Sequence, residues 1–169
     1  EVIGLRPLVK DIALASVGGP VSADLQKVID ALSAADGVIL VSPVFQASYS
    51  GLFKSAMDVL PAGTLEGVPV LLGATAGTAR HSLVTEMALR PLVVYMKALP
   101  TQTAVFAASE DFGAAWQTPS SSERPESPLS ERVARAGREL ATLMERFPRQ
   151  APVDPLADFA PMETLLAGR

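Results

Sequence analysis

The stretch GVILVSPVFQASYSGLFKSAMDVL, residues 37–60, decides the fold. It opens with the apolar run 38–41, which predicts a buried β-strand, and it ends with an amphipathic helix that begins near Ser50. A loop of aromatic, hydroxyl and small residues joins the two elements. Ligands of open α/β sheets bind beyond the carboxyl ends of the strands, so this loop is a candidate binding wall.

A second strand, loop and helix follow in VPVLLGATAGTARHSL, residues 68–83. The strand, predicted over 68–74, is apolar without alternation, which is typical of a strand covered by helices on both faces. Its exit loop is predicted over 75–80. If the two strands are parallel neighbours, their exit loops form the two sides of one crevice.

The remaining chain continues the alternation of strands and helices. The apolar run 1–5 predicts a strand, and Ser22 predicts the N-cap of a helix that ends near Ala35. A long helix is predicted over 81–99, and Pro91 should kink it or produce an irregular turn.

A last strand over 101–107 and a final helix from Ser130 to Phe147 complete this pattern. The Ser- and Pro-rich stretch 116–128 is expected to be mobile. The alternation predicts an α/β fold with a doubly wound parallel sheet. We expect one domain over residues 1–148 and a C-terminal tail over 149–169.

Composition excludes several classes of protein. Nearly half of the 169 residues are hydrophobic, which is enough for one core, and the net charge of −4 without a basic cluster argues against nucleic acid and membrane surfaces as partners. The chain has no Cys, so we expect a cytoplasmic protein without disulfides or thiolate metal sites. A single His, without a His/carboxylate cluster, predicts no metal site. The apolar runs are far shorter than the roughly 18 residues that cross a bilayer.

The first loop has the mixture of groups that binds a planar ring. Pro43 and Val44 lead out of the strand and offer backbone groups, and Phe45 and Tyr49 can pack on the ring. The side chains that can hydrogen-bond to a polar edge of the ring are Gln46, Ser48 and Ser50. Alternatively, the two aromatic rings only cover the loop, and residue type alone leaves both readings open.

The second loop is smaller and more polar. Gly77 can adopt a positive φ or let a ligand approach the backbone closely. Thr78 can hydrogen-bond to a ring carbonyl or cap the next helix, and Arg80 can attract nucleotide phosphates or remain solvated. His81 has no identifiable partner in the sequence, so we expect a structural or solvent-facing His. The adjacent carboxylates Glu110 and Asp111 are expected to border the crevice.

Four segments resemble the NAD(P)H-dependent FMN reductases of the flavodoxin-like superfamily. PVFQASYSGLFK at 43–54 is similar to their P-V-Y-x-A-S-Y-S-G-L-x-K stretch, and TAGTARHSL at 75–83 to their T-x-G-[ST]-x-x-H-x-L segment. ALRPL at 88–92 is similar to A-L-[KR]-P-x-L, and VFA at 105–107 to the strand that follows. The segments keep the family's order and spacing. They are most similar to the subgroup that supplies reduced FMN to two-component monooxygenases.

The resemblance implies a flavodoxin-like fold with a five-stranded sheet, with FMN in the crevice and hydride transfer from NADPH or NADH to flavin N5. No catalytic side chain is implied, because the flavin does the chemistry. Phe45 stands where many relatives have Tyr, so stacking is kept and a hydroxyl contact is lost. The residues that the resemblance and the loop chemistry together assign to FMN or the nicotinamide nucleotide are Pro43, Val44, Phe45, Gln46, Ser48, Tyr49, Ala76, Gly77, Thr78 and Arg80.

The resemblance also concerns assembly. Members of the family tend to pair the Pro-bearing helix across a dimer or tetramer interface, so a homodimer or homotetramer is expected. The apolar stripe of Met87, Leu92 and Met96 suits that interface, and it equally suits a core face. An extra residue in this helix can produce a π-bulge in the subgroup, and Met87 stands near that place.

One departure from the family concerns the phosphate of FMN. The family begins with a strand and a Ser/Gly-rich loop that cradles this phosphate, and the run 1–5 looks like the second strand instead. We therefore expect that roughly 30 to 40 residues, a strand and its crossover helix, precede the sequence. Two other functions stay open, namely a quinone or azo-compound reductase with permanently bound FMN and a non-enzymatic electron carrier. The mild negative charge argues modestly against a carrier.

Overall fold

The computed structural model of the chain describes residues 1–113 and 128–149. Its helices are α1 (Val9–Ser16), α2 (Ala23–Ala34), α3 (Gly51–Asp58), α4 (Arg90–Tyr95) and α5 (Pro128–Arg146). Its strands are β1 (Val38–Phe45), β2 (Ser48–Tyr49), β3 (Pro69–Ala76), β4 (Leu99–Pro100) and β5 (Val105–Ala108). A π-helix covers Thr85–Leu89, and short 3₁₀ turns cover Arg6–Leu8, Ala79–His81 and Ser109–Phe112.

The five strands form one mixed sheet that is mostly parallel. β3 lies at its centre, with β1 parallel on one side and both β4 and β5 parallel on the other. β2 runs antiparallel to the end of β1. The α/β class is therefore confirmed, whereas the expectation of a purely parallel sheet was wrong. The chain reverses directly after Phe45, where the sequence has neither the Asn nor the Gly that usually marks such a turn.

The predicted strand at 1–5 was wrong. Residues 1–4 have no regular structure, and Val2 is fully exposed. Arg6 and Pro7 instead open a 3₁₀ turn that leads into α1, because proline is well suited to the first turn of a helix. A strand also needs a ladder partner, and none of the described strands pairs with residues 1–5.

Two helices begin at the serines that the sequence indicates. The Ser22 side chain accepts a hydrogen bond from the backbone N–H of Leu25 at the start of α2. The Ser50 side chain accepts one from Phe53 at the start of α3. Both are ordinary N-caps that satisfy one of the free N–H groups of a first helical turn.

The helix predicted over 81–99 is divided into three parts. A 3₁₀ turn is followed by the π-helix, which contains Met87 as the resemblance implies, and Pro91 lies in the first turn of α4. The helix ends at Tyr95, four residues earlier than predicted. Lys97 adopts a positive φ of 60°, and its N–H and that of Ala98 bond back to the carbonyls of Val94 and Val93. This is a Schellman C-cap without the glycine that usually announces it.

The strand predicted over 101–107 is interrupted. β4 and β5 pair with the two ends of β3, and the residues between them leave the ladder. The Thr101 N–H still donates to the Val70 carbonyl, and side chains satisfy several of the backbone groups that follow. The Arg90 guanidinium donates to the carbonyls of Thr101 and Gln102, and the Glu139 carboxylate accepts from the N–H groups of Gln102 and Thr103. The interruption is thus held by two helices, a long-range arrangement that local sequence does not indicate.

Helices cover both faces of the sheet, but unevenly. The main core packs the four helices α1, α2, α3 and α4, together with the π-helix, against one face of the sheet. A smaller cluster packs Ala136 and Leu140 of α5 on Leu71 of β3. β3 is buried on both faces as predicted. β1 is not, because Ile39 and Val41 are 58% and 55% exposed. Among the described residues, the edge of β1 that faces away from β3 is paired only at Val44 and Phe45.

Candidate functional site

The sheet register brings the predicted loops together. Pro43 lies beside Thr75 in the parallel pairing of β1 and β3, and Ala76 lies beside Ala108 in that of β3 and β5. The exits of three strands therefore meet at one carboxyl edge. This is where α/β sheets bind their ligands.

The first loop is a tight β-hairpin. Val44 pairs with Tyr49 and Phe45 with Ser48, which leaves Gln46 and Ala47 as the turn. Both turn residues have positive φ values, 49° and 63°. For residues other than glycine, this region of backbone conformation costs roughly 1–2 kcal/mol each. Strain of this kind is concentrated at functional sites, where the surrounding structure enforces it.

The hairpin sorts its side chains onto two faces. Val44 and Tyr49 pack against the main core, and the Tyr49 ring lies against Phe53 with centroids 5.8 Å apart. Phe45 and its pair Ser48 point to the other face, where Phe45 is 61% exposed. Phe45 and Tyr49 are the two aromatic residues predicted to bind the cofactor. Of these, only Phe45 has a ring that is free to stack on a ligand.

The base of the hairpin depends on two serines, namely Ser42, which the sequence analysis did not single out, and Ser50, which was expected to hydrogen-bond to the ring. The Ser42 hydroxyl is buried, accepts from the Ser50 N–H at 2.9 Å and donates to the Pro43 carbonyl at 3.0 Å. Ser50 is buried as well, and its own hydroxyl caps α3. Ser50 is therefore a structural residue and does not face a ligand. A hydroxyl inside an apolar strand, directly before proline, is the signal that points to Ser42.

The second loop is open. Gly77, Thr78 and Arg80 are exposed, and Ala76 is half-buried. Gly77 does not have a positive φ, and a Cβ built on it would meet no atom within 4 Å. Thr78 caps the following turn by a long hydrogen bond of 3.4 Å from the Arg80 N–H. Within the described part of the chain, the Arg80 guanidinium has no ion-pair partner, so it is available to an anion.

A third wall is formed by the turn after β5. The Asp111 carboxylate accepts from the Ala108 N–H at 2.8 Å and pairs with Arg132 of α5, also at 2.8 Å. The Ala108 hydrogen bond, together with Arg132, lowers the pKa of Asp111. Arg132 also donates to the Phe106 carbonyl. Asp111 thus fixes this turn, whereas its neighbour Glu110 is exposed.

The described residues give little support to catalysis by His81, to a metal site or to a membrane-spanning helix. His81 is exposed at the end of a 3₁₀ turn, as expected for a solvent-facing His. Residues 1–113 and 128–149 contain no group of three His, Cys, Asp or Glu side chains that could hold a metal ion. In the same ranges, no helix combines the length and the apolar character needed to cross a bilayer.

The residues at this edge suit the isoalloxazine ring of a flavin. They offer one exposed aromatic ring at Phe45, an adjacent amide at Gln46, and unobstructed backbone at Gly77. Such a mixture of an apolar surface with a few polar groups is typical of cofactor sites. A separate groove of about 590 Å³ lies away from the edge, between the end of α3 and α4, and is lined in part by Leu92, Tyr95 and Met96.

Comparison with known proteins identifies the family of the chain. Residues 1–113 match the family model described as NADPH-dependent FMN reductase. The chain is 37% identical over 112 residues to the FMN reductase (NADPH) of Pseudomonas aeruginosa, which covers 66% of this chain and 60% of that protein. It is 43% identical over 91 residues to the NADH-dependent FMN reductase SfnF of Pseudomonas putida, covering 54% and 49%.

Solved structures show the same fold. An oxidoreductase from Corynebacterium diphtheriae superposes with a TM-score of 0.72 at 42% identity, covering 85% of this chain and 74% of that one. A WrbA-like flavodoxin from Agrobacterium tumefaciens, at 16% identity and a TM-score of 0.53, shows that the fold is flavodoxin-like. The chain spans about 60% or less of the two curated relatives described above. Because the family model matches most of its length, the chain belongs to the NADPH-dependent FMN reductase family.

Proposed function

We propose that the protein reduces FMN with NADPH or NADH and delivers the reduced flavin to a partner monooxygenase. The observation that carries this proposal is the exposed Phe45 ring at the strand-end edge, in the loop that neighbours the open backbone at Gly77. The family and its FMN reductase members support the reaction. The partner rests on the resemblance of residues 43–54 and 75–83 to the monooxygenase-coupled subgroup.

The residues of this chain act by binding and orientation. Bound FMN would supply the acceptor for a hydride from the reduced nicotinamide. Phe45 covers one face of the ring and keeps water from it, while Gln46 and Ser48 offer hydrogen bonds to its polar edge. Ala76, Gly77 and Thr78 bound the opposite side. The space beside Gly77 is open to a ligand, since a Cβ built there would meet no atom within 4 Å.

Arg80 is the residue that we assign to the nucleotide. Its guanidinium is exposed next to the second loop, and a permanent positive charge suits a phosphate oxygen. The two curated relatives differ in their nucleotide, one being described as NADPH-dependent and the other as NADH-dependent. We therefore propose Arg80 for the phosphates that both nucleotides share.

We also propose that two copies of the chain pack through the π-helix and α4. Leu83, Met87, Val94 and Tyr95 form an exposed stripe, from 54% to 87% exposed. Leu92 and Met96 of the predicted stripe instead pack partly against the core. An apolar surface of this kind on a single chain marks an association site. Sedimentation equilibrium measures it directly, and a monomer at micromolar concentration would contradict it.

The test of the function is steady-state oxidation of NADPH and NADH by the purified protein, followed at 340 nm. We expect oxidation that depends on added FMN and saturates with it. Faster turnover with a quinone than with FMN, together with flavin that copurifies, would favour the quinone or azo reductase. No oxidation with any acceptor would favour an electron carrier.

A further inference from the structure

We propose that Ser42 is a positioning residue that fixes the hairpin 43–49 in the shape that receives the flavin ring. This inference rests on the proposed function. Ser42 touches no ligand surface, since its side chain is buried on the core face of β1 and is only 1% exposed. It acts through the backbone of the hairpin, whose two ends it joins.

The hydrogen bonds of Ser42 close the base of the hairpin. Its hydroxyl accepts from the Ser50 N–H at 2.9 Å and donates to the Pro43 carbonyl at 3.0 Å. Ser42 directly precedes the hairpin and Ser50 directly follows it, so a single oxygen atom sets the distance between the two ends. Both residues are buried, so water cannot substitute for this oxygen without a rearrangement of the core.

The hairpin needs such support because its own structure is weak. It has only two paired positions, Val44 with Tyr49 and Phe45 with Ser48. Two-stranded hairpins are marginally stable on their own. The turn residues Gln46 and Ala47 both have positive φ values, which residues with side chains disfavour. The hairpin is therefore held from outside, by the contact of Tyr49 with Phe53 and by the Ser42 oxygen.

Removing this oxygen leaves the Ser50 N–H buried without a partner. Such a donor is costly to leave unpaired, so the chain would move Ser50 until its N–H reached water. That movement opens the hairpin at its base and shifts Phe45 and Gln46 at its tip. The helix cap at Ser50 is a separate bond, from the Phe53 N–H to the Ser50 hydroxyl, and it is not lost directly.

The experiment compares Ser42→Ala with Ser22→Ala. Ser22 caps α2 by the same kind of bond, at 3.1 Å from the Leu25 N–H, and therefore controls for a general loss of stability. Two quantities are measured on the purified proteins, namely amide hydrogen exchange of residues 44–50 without ligand and the Kd for FMN from quenching of flavin fluorescence. Urea unfolding measures the stability of each variant.

We expect Ser42→Ala to raise the Kd for FMN about tenfold and to accelerate exchange in residues 44–50. Ser22→Ala should change neither quantity, although both variants unfold at lower urea concentration. Ser42→Cys, whose thiol is a weaker acceptor, replaces Ser42→Ala if that variant does not fold, and should give a smaller change in the same direction.

The outcomes separate this inference from the function on which it rests. If the wild-type protein binds FMN and Ser42→Ala binds it as tightly as Ser22→Ala does, the inference is wrong and the function stands. Unchanged exchange in residues 44–50 also overturns it. If the wild-type protein does not bind FMN, the proposed function fails, and the role of Ser42 toward a flavin fails with it.

Discussion

The two loops at the carboxyl edge of the sheet differ in how firmly they are held. The first is a hairpin closed at its base by Ser42, packed on the core through Tyr49, and kept at two positive φ values. The second has one long side-chain hydrogen bond, at Thr78, and Gly77, Thr78 and Arg80 are exposed. The first loop is held in place before any ligand binds, whereas the second loop has fewer contacts that would prevent it from changing shape.

This difference suits a site with two ligands of unequal demands. A rigid wall positions a flat ring at little entropic cost, because its groups are ordered beforehand. An adaptable wall can admit and release a second ligand. The turn after β5 is intermediate, since Asp111 fixes it to the Ala108 N–H and to Arg132. The following substitutions test this comparison, from the largest expected effect to the smallest.

Phe45→Ala tests the rigid wall. We expect FMN binding to weaken at least tenfold, about 1.4 kcal/mol, because the exposed aromatic surface is lost. The free energy of unfolding should change little, since the ring is 61% exposed. Fluorescence titration with FMN measures the first quantity and urea unfolding the second. Phe147→Ala, which removes a ring that is 49% exposed after α5, is the control. Equal FMN affinity in Phe45→Ala and the control would remove Phe45 from the site.

Gly77→Val tests the adaptable wall. A Cβ at Gly77 meets no atom within 4 Å, so the fold should tolerate the larger side chain. FMN binding should weaken about fivefold, roughly 1 kcal/mol, which is less than for Phe45→Ala because the loop can move aside. The same titration measures it. Gly4→Val, at another open glycine in the exposed N-terminal segment, is the control. An unchanged Kd would show that the second loop does not touch the ring.

Asp111→Asn tests the intermediate wall through its pH dependence. We expect a loss of about 1 kcal/mol in the free energy of unfolding at pH 7, because Asn replaces a charged acceptor. The lowered pKa of Asp111 means that the unfolded chain binds this proton more tightly. The stabilisation by the Asp111 carboxylate is therefore complete above its pKa in the unfolded chain, about 3.9. It is lost as the pH falls through the lower pKa that Asp111 has in the folded protein.

The difference in the free energy of unfolding between wild type and Asp111→Asn should accordingly become smaller as the pH falls. Urea unfolding at neutral pH and near pH 2 to 3 measures it. Glu110→Gln changes the adjacent exposed carboxylate and should leave the unfolding free energy unchanged at neutral pH. If this difference in free energy stays constant with pH, the charge of Asp111 does not contribute to stability.

Ala47→Gly tests whether the hairpin turn is strained. Glycine removes the cost of the positive φ of 63° but loses more entropy on folding, so we expect a net gain of about 0.5 kcal/mol in stability. Ala13→Gly in α1 is the matched control and should lose up to about 1 kcal/mol, because its φ is helical. Denaturant midpoints report both. If Ala47→Gly were as destabilising as the control, the turn would carry no strain.

Local patterns predicted the elements that local interactions determine. The apolar run of β1, the N-cap Ser22, the start of α3 near Ser50 and the irregular turn at Pro91 were all visible in the sequence. The order of the loops followed from the alternation of strands and helices. The sequence therefore predicted that the two loops meet at the carboxyl edge of the sheet, and their role in binding stays a prediction.

The features that the sequence did not predict depend on tertiary contacts. Gln46, Ala47 and Lys97 have positive φ values without being glycine, so the hairpin and the end of α4 carry no local signal. The gap between β4 and β5 is filled by Arg90 and Glu139 from distant helices. The apolar run 1–5 matches a strand by composition but has no described ladder partner.

The edge of β1 that faces away from β3 has a consequence for how the sheet can be extended. Along 38–42 no described strand pairs with the side of β1 away from β3, and Ile39 and Val41 are exposed on this part of the strand. An apolar strand edge of this kind is a template to which further strands add. Any strand that joins the sheet on the β1 side would take residues 38–42 as its ladder partners. The stretch that decides the fold therefore also defines the side on which the sheet can be extended.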